Sequence, residues 1–133
     1  MDALVAAGIE LDPGLVRYNL HSSDLAEAAV ADLLAGDSPP TAIFAGQNLI
    51  TVGALRAMRP TQLERRIALV GFDDVPLADL LVPGVTVVAQ DPARIGQIAA
   101  TILFARLDGD RGPTVRHVVA TTLIPRGSGE LPP

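Results

Sequence analysis

Short apolar runs that alternate with stretches of helical spacing are what most limits the folds open to this chain. Residues 42–45, 67–72 and 85–89 are runs of four to six residues, the length of buried strands, and each ends in a polar loop. Residues 15–20, "LVRYNL", alternate apolar and polar and predict a further strand, as do residues 114–124, "TVRHVVATTLI". The intervening stretches carry helix signals. Asp24 with Glu27 three residues on is an acidic variant of the capping box, and Gly36 supplies a stop. Asn48 stands as a cap before a helix that Pro60 closes. The clearest helix is 92–107, with Asp91 at the cap and Pro92 at its first position. Its residues Ile95, Ile98, Ala99, Ile102 and Leu103 form the stripe of a core-facing helix, and Gly109 ends it. Residues 125–133 read as a frayed tail. Strands alternating with helices predict an α/β fold on a parallel, doubly wound sheet.

At 133 residues the chain has the size of one domain. It is 49% hydrophobic, yet no stretch approaches the roughly 18 uninterrupted apolar residues of a membrane span. It has no cysteine, hence no disulfide framework and no thiolate metal site. The opening residues carry Asp2 and Glu10 and no basic run, unlike a signal peptide, so a cytoplasmic protein is expected. The net charge is −5 and all ten basic residues are scattered arginines, so no basic stripe exists to neutralise phosphates. Aromatic residues make up only 3%, which leaves little for base stacking. This chain alone is therefore not expected to bind nucleic acid. Residues 1–8 have an apolar pattern ending in Gly8 and no preceding cap; they read as the last turns of a helix, and suggest a piece of something longer.

In open α/β sheets, ligands bind where the parallel strands end. The corresponding loops are 19–23, 46–48, 73–76 and 90–92. Asp73 and Asp74 are neighbours, so on extended backbone they point to opposite sides and cannot face one substrate as acid and base. As a divalent-cation site the pair lacks further carboxylates, Asp79 being the nearest. A split role is more economical: Asp74 caps the next helical turn, which contains Pro76, and Asp73 accepts hydrogen bonds from a ligand. That both are simply turn residues remains the alternative. His21 lies beside Ser22 and Ser23, but there is no G-x-S-x-G elbow, and His117 within the last strand reads as structural. With no Walker A or G-x-G-x-x-G pattern either, no catalytic residue, metal or cofactor is expected.

Three segments, "PPTAIFAGQNLITVGALRAMRP", "RIALVGFDDVPLADLLVPGVTVVAQDPARIGQIAATILFARLDG" and "VVATTLIPRGS", strongly resemble the LacI/GalR (lac repressor-type) family of bacterial transcription regulators. The likeness runs over residues 3–128, and its most specific part is G-F-D-D followed by T-V-x-Q and a proline-started helix. It implies one lobe of a type I periplasmic-binding-protein-like fold plus the final crossover segment. By the resemblance, residues 10–89 form the C-terminal lobe and the hinge lies near residue 90. Helix 92–107 and strand 114–124 then pack toward an N-terminal lobe, with 125–133 as a tail. Most of that lobe and the helix-turn-helix DNA reader have no counterpart in these residues.

The family pattern makes Asp73 the effector-binding aspartate and Gln90 a cleft-facing hinge glutamine. Gln47 stands where asparagine is frequent, and Asn48 where aspartate is. His21 stands where many relatives place an aromatic that stacks on the ligand. The connection "MRPTQLERR" is shorter than usual and lacks its glycine and proline turn. The expected partners are a sugar-like small-molecule effector, a second copy through helix 48–58 and residues 76–84, and operator DNA only through the unmatched segment; no membrane is expected. Alternatives are a solute-binding component of a sugar transporter, a remnant without autonomous activity, and a sheet-based enzyme using Asp73 as a base.

Overall fold

The computed structural model describes residues 2–132. Helices α1 (Asp2–Ala6) and α2 (Ser23–Ala35) precede strand β1 (Ala42–Ala45); α3 (Asn48–Met58) leads to β2 (Ala68–Phe72) and β3 (Thr86–Ala89), which have no helix between them, and α4 (Pro92–Leu107) leads to β4 (Thr122–Ile124). The strands form one sheet in the order β1-β2-β3-β4. β1, β2 and β3 pair in parallel, with Ala42 opposite Ala68 and Val70 opposite Thr86. β4 joins β3 antiparallel, Val88 opposite Leu123. The expected α/β class with a mainly parallel sheet is what forms.

The core lies between the sheet and α3, with α2 packed on α3. Met58 of α3, Leu69 of β2, and Val85 and Val87 beside and within β3 are almost fully enclosed. Each such side chain stabilises the fold by about 1.5–3 kcal/mol relative to an exposed one. Two glycines set the spacing. A Cβ on Gly53 would lie 2.5 Å from the Ala26 Cβ of α2, and one on Gly71 would lie 2.6 Å from Thr51 Oγ1. Small residues at both places let α3 sit close to its helical neighbour and to β2.

Several local expectations change. Ser22, not Asp24, caps α2: its extended backbone places Oγ 3.2 Å from the Leu25 N–H. Asp24 lies in the first turn, where its charge suits the helix dipole and pairs with Arg56 at 3.1 Å. Asn48 is the first residue of α3, and Gln47 occupies the cap position without a side-chain bond. Residues 16–20 are not a strand. A single 3₁₀ turn, Pro13–Leu15, is followed by backbone without ladder bonds, and Asn19 turns into the left-handed region at φ 60°. Arg17 instead ties this segment to Asp32 of α2 at 3.1 Å.

At the other end, only Thr122–Ile124 of the expected last strand pairs: Thr122 lies opposite Ala89, the last residue of β3, so the residues before it run past the strand's end. Residues 114–121 carry no regular structure, and His117 is exposed there rather than set in a strand. Residues 125–130 are not frayed. Ser128 is buried, accepts from the Thr86 N–H at 2.9 Å and donates to the Leu69 carbonyl at 2.6 Å. α4 has the expected caps, Asp91 accepting from the Arg94 N–H at 2.8 Å and Gly109 turning left-handed at φ 102°. Its apolar stripe, however, buries no residue; residues 116–119 lie along it across a groove that also touches Gln90. Among the described residues no helix is long and apolar enough to cross a membrane.

Candidate functional site

β1, β2 and β3 run parallel, so their carboxyl ends share one edge of the sheet, where Gln47, Asp73 and Gln90 follow within two residues of Ala45, Phe72 and Ala89. Phe72 still pairs opposite Val88, and the Asp73 N–H donates to the Val88 carbonyl at 3.0 Å. The chain then leaves the ladder abruptly, because Asp73 adopts φ 67°. Aspartate tolerates this left-handed region better than most residues do. The turn brings the Asp73 carboxylate onto Gln90, whose Nε2 donates to Oδ1 at 2.5 Å. Asp73 is half-buried and Gln90 exposed. Among the described residues Oδ2 takes no protein donor.

Asp74 faces elsewhere. Arg126 grips it with both guanidinium nitrogens at 2.7 Å, and its Oδ1 also accepts from the Val75 N–H at 2.9 Å. The Arg126 hydrogen bonds hold the Asp74 carboxyl below its ordinary pKa, against a smaller opposing effect of burial. The separation of the two neighbouring carboxylates is thus as expected, but the cap role for Asp74 is not. No helix follows it; residues 76–80 form turns, so there is no N-terminus to cap. With Asp74 locked in an ion pair, the two cannot act as a catalytic carboxylate couple.

His21 and Gln47 are both exposed, and neither side chain hydrogen-bonds to the Asp73–Gln90 pair. The residues just before them, Leu20 and Gly46, both line one groove beside β1. The structure therefore joins Asp73 to Gln90 directly and, among the described residues, gives neither His21 nor Gln47 a hydrogen bond to that pair. Arg126 was not among the expected site residues. It lies 52 positions from Asp74, and no local spacing signals such a pair.

One carboxylate oxygen and one primary amide at a sheet edge suit a ligand rich in hydroxyls: the carboxylate accepts, and the amide can donate or accept.

The chain matches the periplasmic binding protein-like domain over residues 3–129. It is 35% identical to the HTH-type transcriptional regulator CelR of Thermobifida fusca over 96% of this chain and 38% of that protein. The structure of a CelR–cellobiose complex superposes with a TM-score of 0.84 at 36% identity, covering 96% of this chain and 40% of that one. A LacI-family regulatory protein from Chloroflexus aggregans gives a TM-score of 0.81 at 28% identity, covering 96% and 47%. The chain thus spans less than two-fifths of the curated relative's length.

Proposed function

The chain belongs to the periplasmic binding protein-like domain family of LacI-type transcriptional regulators, and from that membership we propose that it is the effector-binding and dimerisation part of such a regulator. The observation that carries the reading is the Asp73–Gln90 pair at the carboxyl edge of the parallel sheet, with an unengaged carboxylate oxygen. The ligand class is a sugar or a similar polyol. The cellobiose bound in the CelR structure supports that class. His21 and Gln47 extend the site on its β1 side, His21 offering a face on which a sugar ring stacks.

In this reading residues 10–89 are one lobe and Gln90 marks the hinge. α4 and residues 114–124 belong to the crossover, and their exposed apolar side chains meet a second lobe. Ligand closes the two lobes, and closure changes operator affinity because ligand binds the two states unequally. A second copy packs on α3 and residues 76–84. There Leu77, Leu80 and Val82 are 66%, 69% and 73% exposed, and Leu80 and Val82 line a groove of about 400 Å³ with Val52 and Leu55. Such a protein works in the cytoplasm, reads DNA through a helix-turn-helix elsewhere in the polypeptide, and is not an enzyme. The solute-carrier alternative gains nothing from relatives that are themselves regulators.

The test is a thermal-shift screen of sugars, cellobiose among them, on a full-length regulator carrying this domain. At least one sugar is expected to raise Tm in the parent and to lose that effect in Asp73→Ala. A screen in which no sugar or polyol stabilises the parent would count against the ligand class.

A further inference from the structure

We infer that Arg126 is a positioning residue for the ligand-facing carboxylate: by gripping Asp74 it fixes the peptide that turns Asp73 toward Gln90. The inference rests on Asp73 as the ligand's acceptor, yet its geometry can be examined without any ligand. Asp73 leaves β2 at φ 67°, a left-handed conformation that aspartate reaches more readily than most residues but that is still uncommon outside glycine. On its strand side Asp73 is tied by its N–H to Val88. On its other side the next residue, Asp74, is held by the two 2.7 Å bonds from Arg126. The turn is therefore pinned at both ends.

Arg126 is itself well anchored. Its N–H donates to Thr86 Oγ1 at 2.9 Å, and Nη1 also donates to the Val85 carbonyl at 3.2 Å. Two residues on, Ser128 donates its N–H to the Gly84 carbonyl, and its own carbonyl accepts from the Leu69 N–H at 2.9 Å. Glu130 closes the loop, accepting from Thr86 Oγ1 and from the Gly127 N–H, each at 2.9 Å. The segment 126–130 thus bridges β2 and β3, the two strands that deliver Asp73 and Gln90. Only 19% of the Arg126 side chain is exposed, so its fork is preorganised rather than swinging in solvent.

The experiment reads the Gln90 side-chain amide by nitrogen-15 NMR in the 133-residue chain. Asp73→Ala defines the signal of a Gln90 without its acceptor. Arg126→Ala and Asp74→Asn are expected to move the Gln90 signals most of the way to that position while β2 and β3 backbone amides stay in place. Arg126→Lys keeps the charge without the fork and should restore the signals only in part. Should Arg126→Ala lose the folded spectrum, the isosteric Asp74→Asn still gives the answer. Gln90 signals unmoved in Asp74→Asn but shifted in Asp73→Ala overturn the positioning role. Gln90 signals unmoved even in Asp73→Ala overturn it too, because the pair is then not formed. No sugar enters this measurement, so its outcome is separate from whether Asp73 binds one.

Discussion

Asp73 and Asp74 are adjacent in sequence but end in opposite settings, one at the open sheet edge and one in an ion pair. Divergence was expected from the alternation of side chains along extended backbone, but Asp73 turns left-handed at φ 67°, so it is this turn and the separate partners Gln90 and Arg126 that part them. What holds Asp74 was not legible, since an arginine 52 residues away leaves no local trace. The pair has a consequence for acid stability. The folded-state pKa of Asp74 is lowered, so in the acid range the unfolded chain binds more protons. The stabilisation is present above the unfolded value of about 3.9 and is lost as pH falls through the lower folded value. Asp74 is 42% exposed, and solvent screening limits the gain to about 1 kcal/mol or less. Tm measured between pH 7 and pH 2 is expected to fall less steeply below pH 4 in Asp74→Asn than in the parent. Parallel profiles would mean that the pair contributes nothing to acid sensitivity.

Elements were legible where a segment carries its own stop and start signals, and less so where it depends on a neighbour. α4 forms over the expected residues because Asp91, Pro92 and Gly109 are all in its own sequence. Its spacing revealed an apolar face but not what covers it, and the stripe lies exposed along residues 116–119. Residues 16–20 and 114–121 have strand-like alternation, yet strands need ladder partners, which alternation cannot supply. Close approach of helices is similarly invisible in one segment. A side chain on Gly53 would run into α2 at Ala26. Gly53→Ala gains helix propensity of about 1 kcal/mol, against overpacking that costs about 1–3 kcal/mol. Net destabilisation is expected in urea unfolding; an unchanged or raised midpoint would show that the helices can move apart freely.

For the whole molecule, fold class followed from the order of apolar runs, and three parallel strands bring Gln47, Asp73 and Gln90 to one edge of the sheet. The Asp73–Gln90 contact joins the ends of two strands, and only the family likeness pointed to both residues beforehand. His21 and Gln47, drawn from the same likeness, are exposed just before α2 and α3, and among the described residues neither hydrogen-bonds to that pair. A net charge of −5 with scattered arginines offers no basic stripe in the sequence to neutralise phosphates. In a gel shift at physiological salt the chain is expected to retard operator-length DNA no more than an acidic control, and a sequence-specific shift would refute that. The central claim is that Asp73 receives a sugar hydroxyl at the sheet edge. Isothermal titration of the stabilising sugar into full-length parent and Asp73→Ala tests it most directly. An affinity roughly tenfold or more weaker in the variant is expected for loss of a charged hydrogen bond, and equal affinities would contradict the assignment.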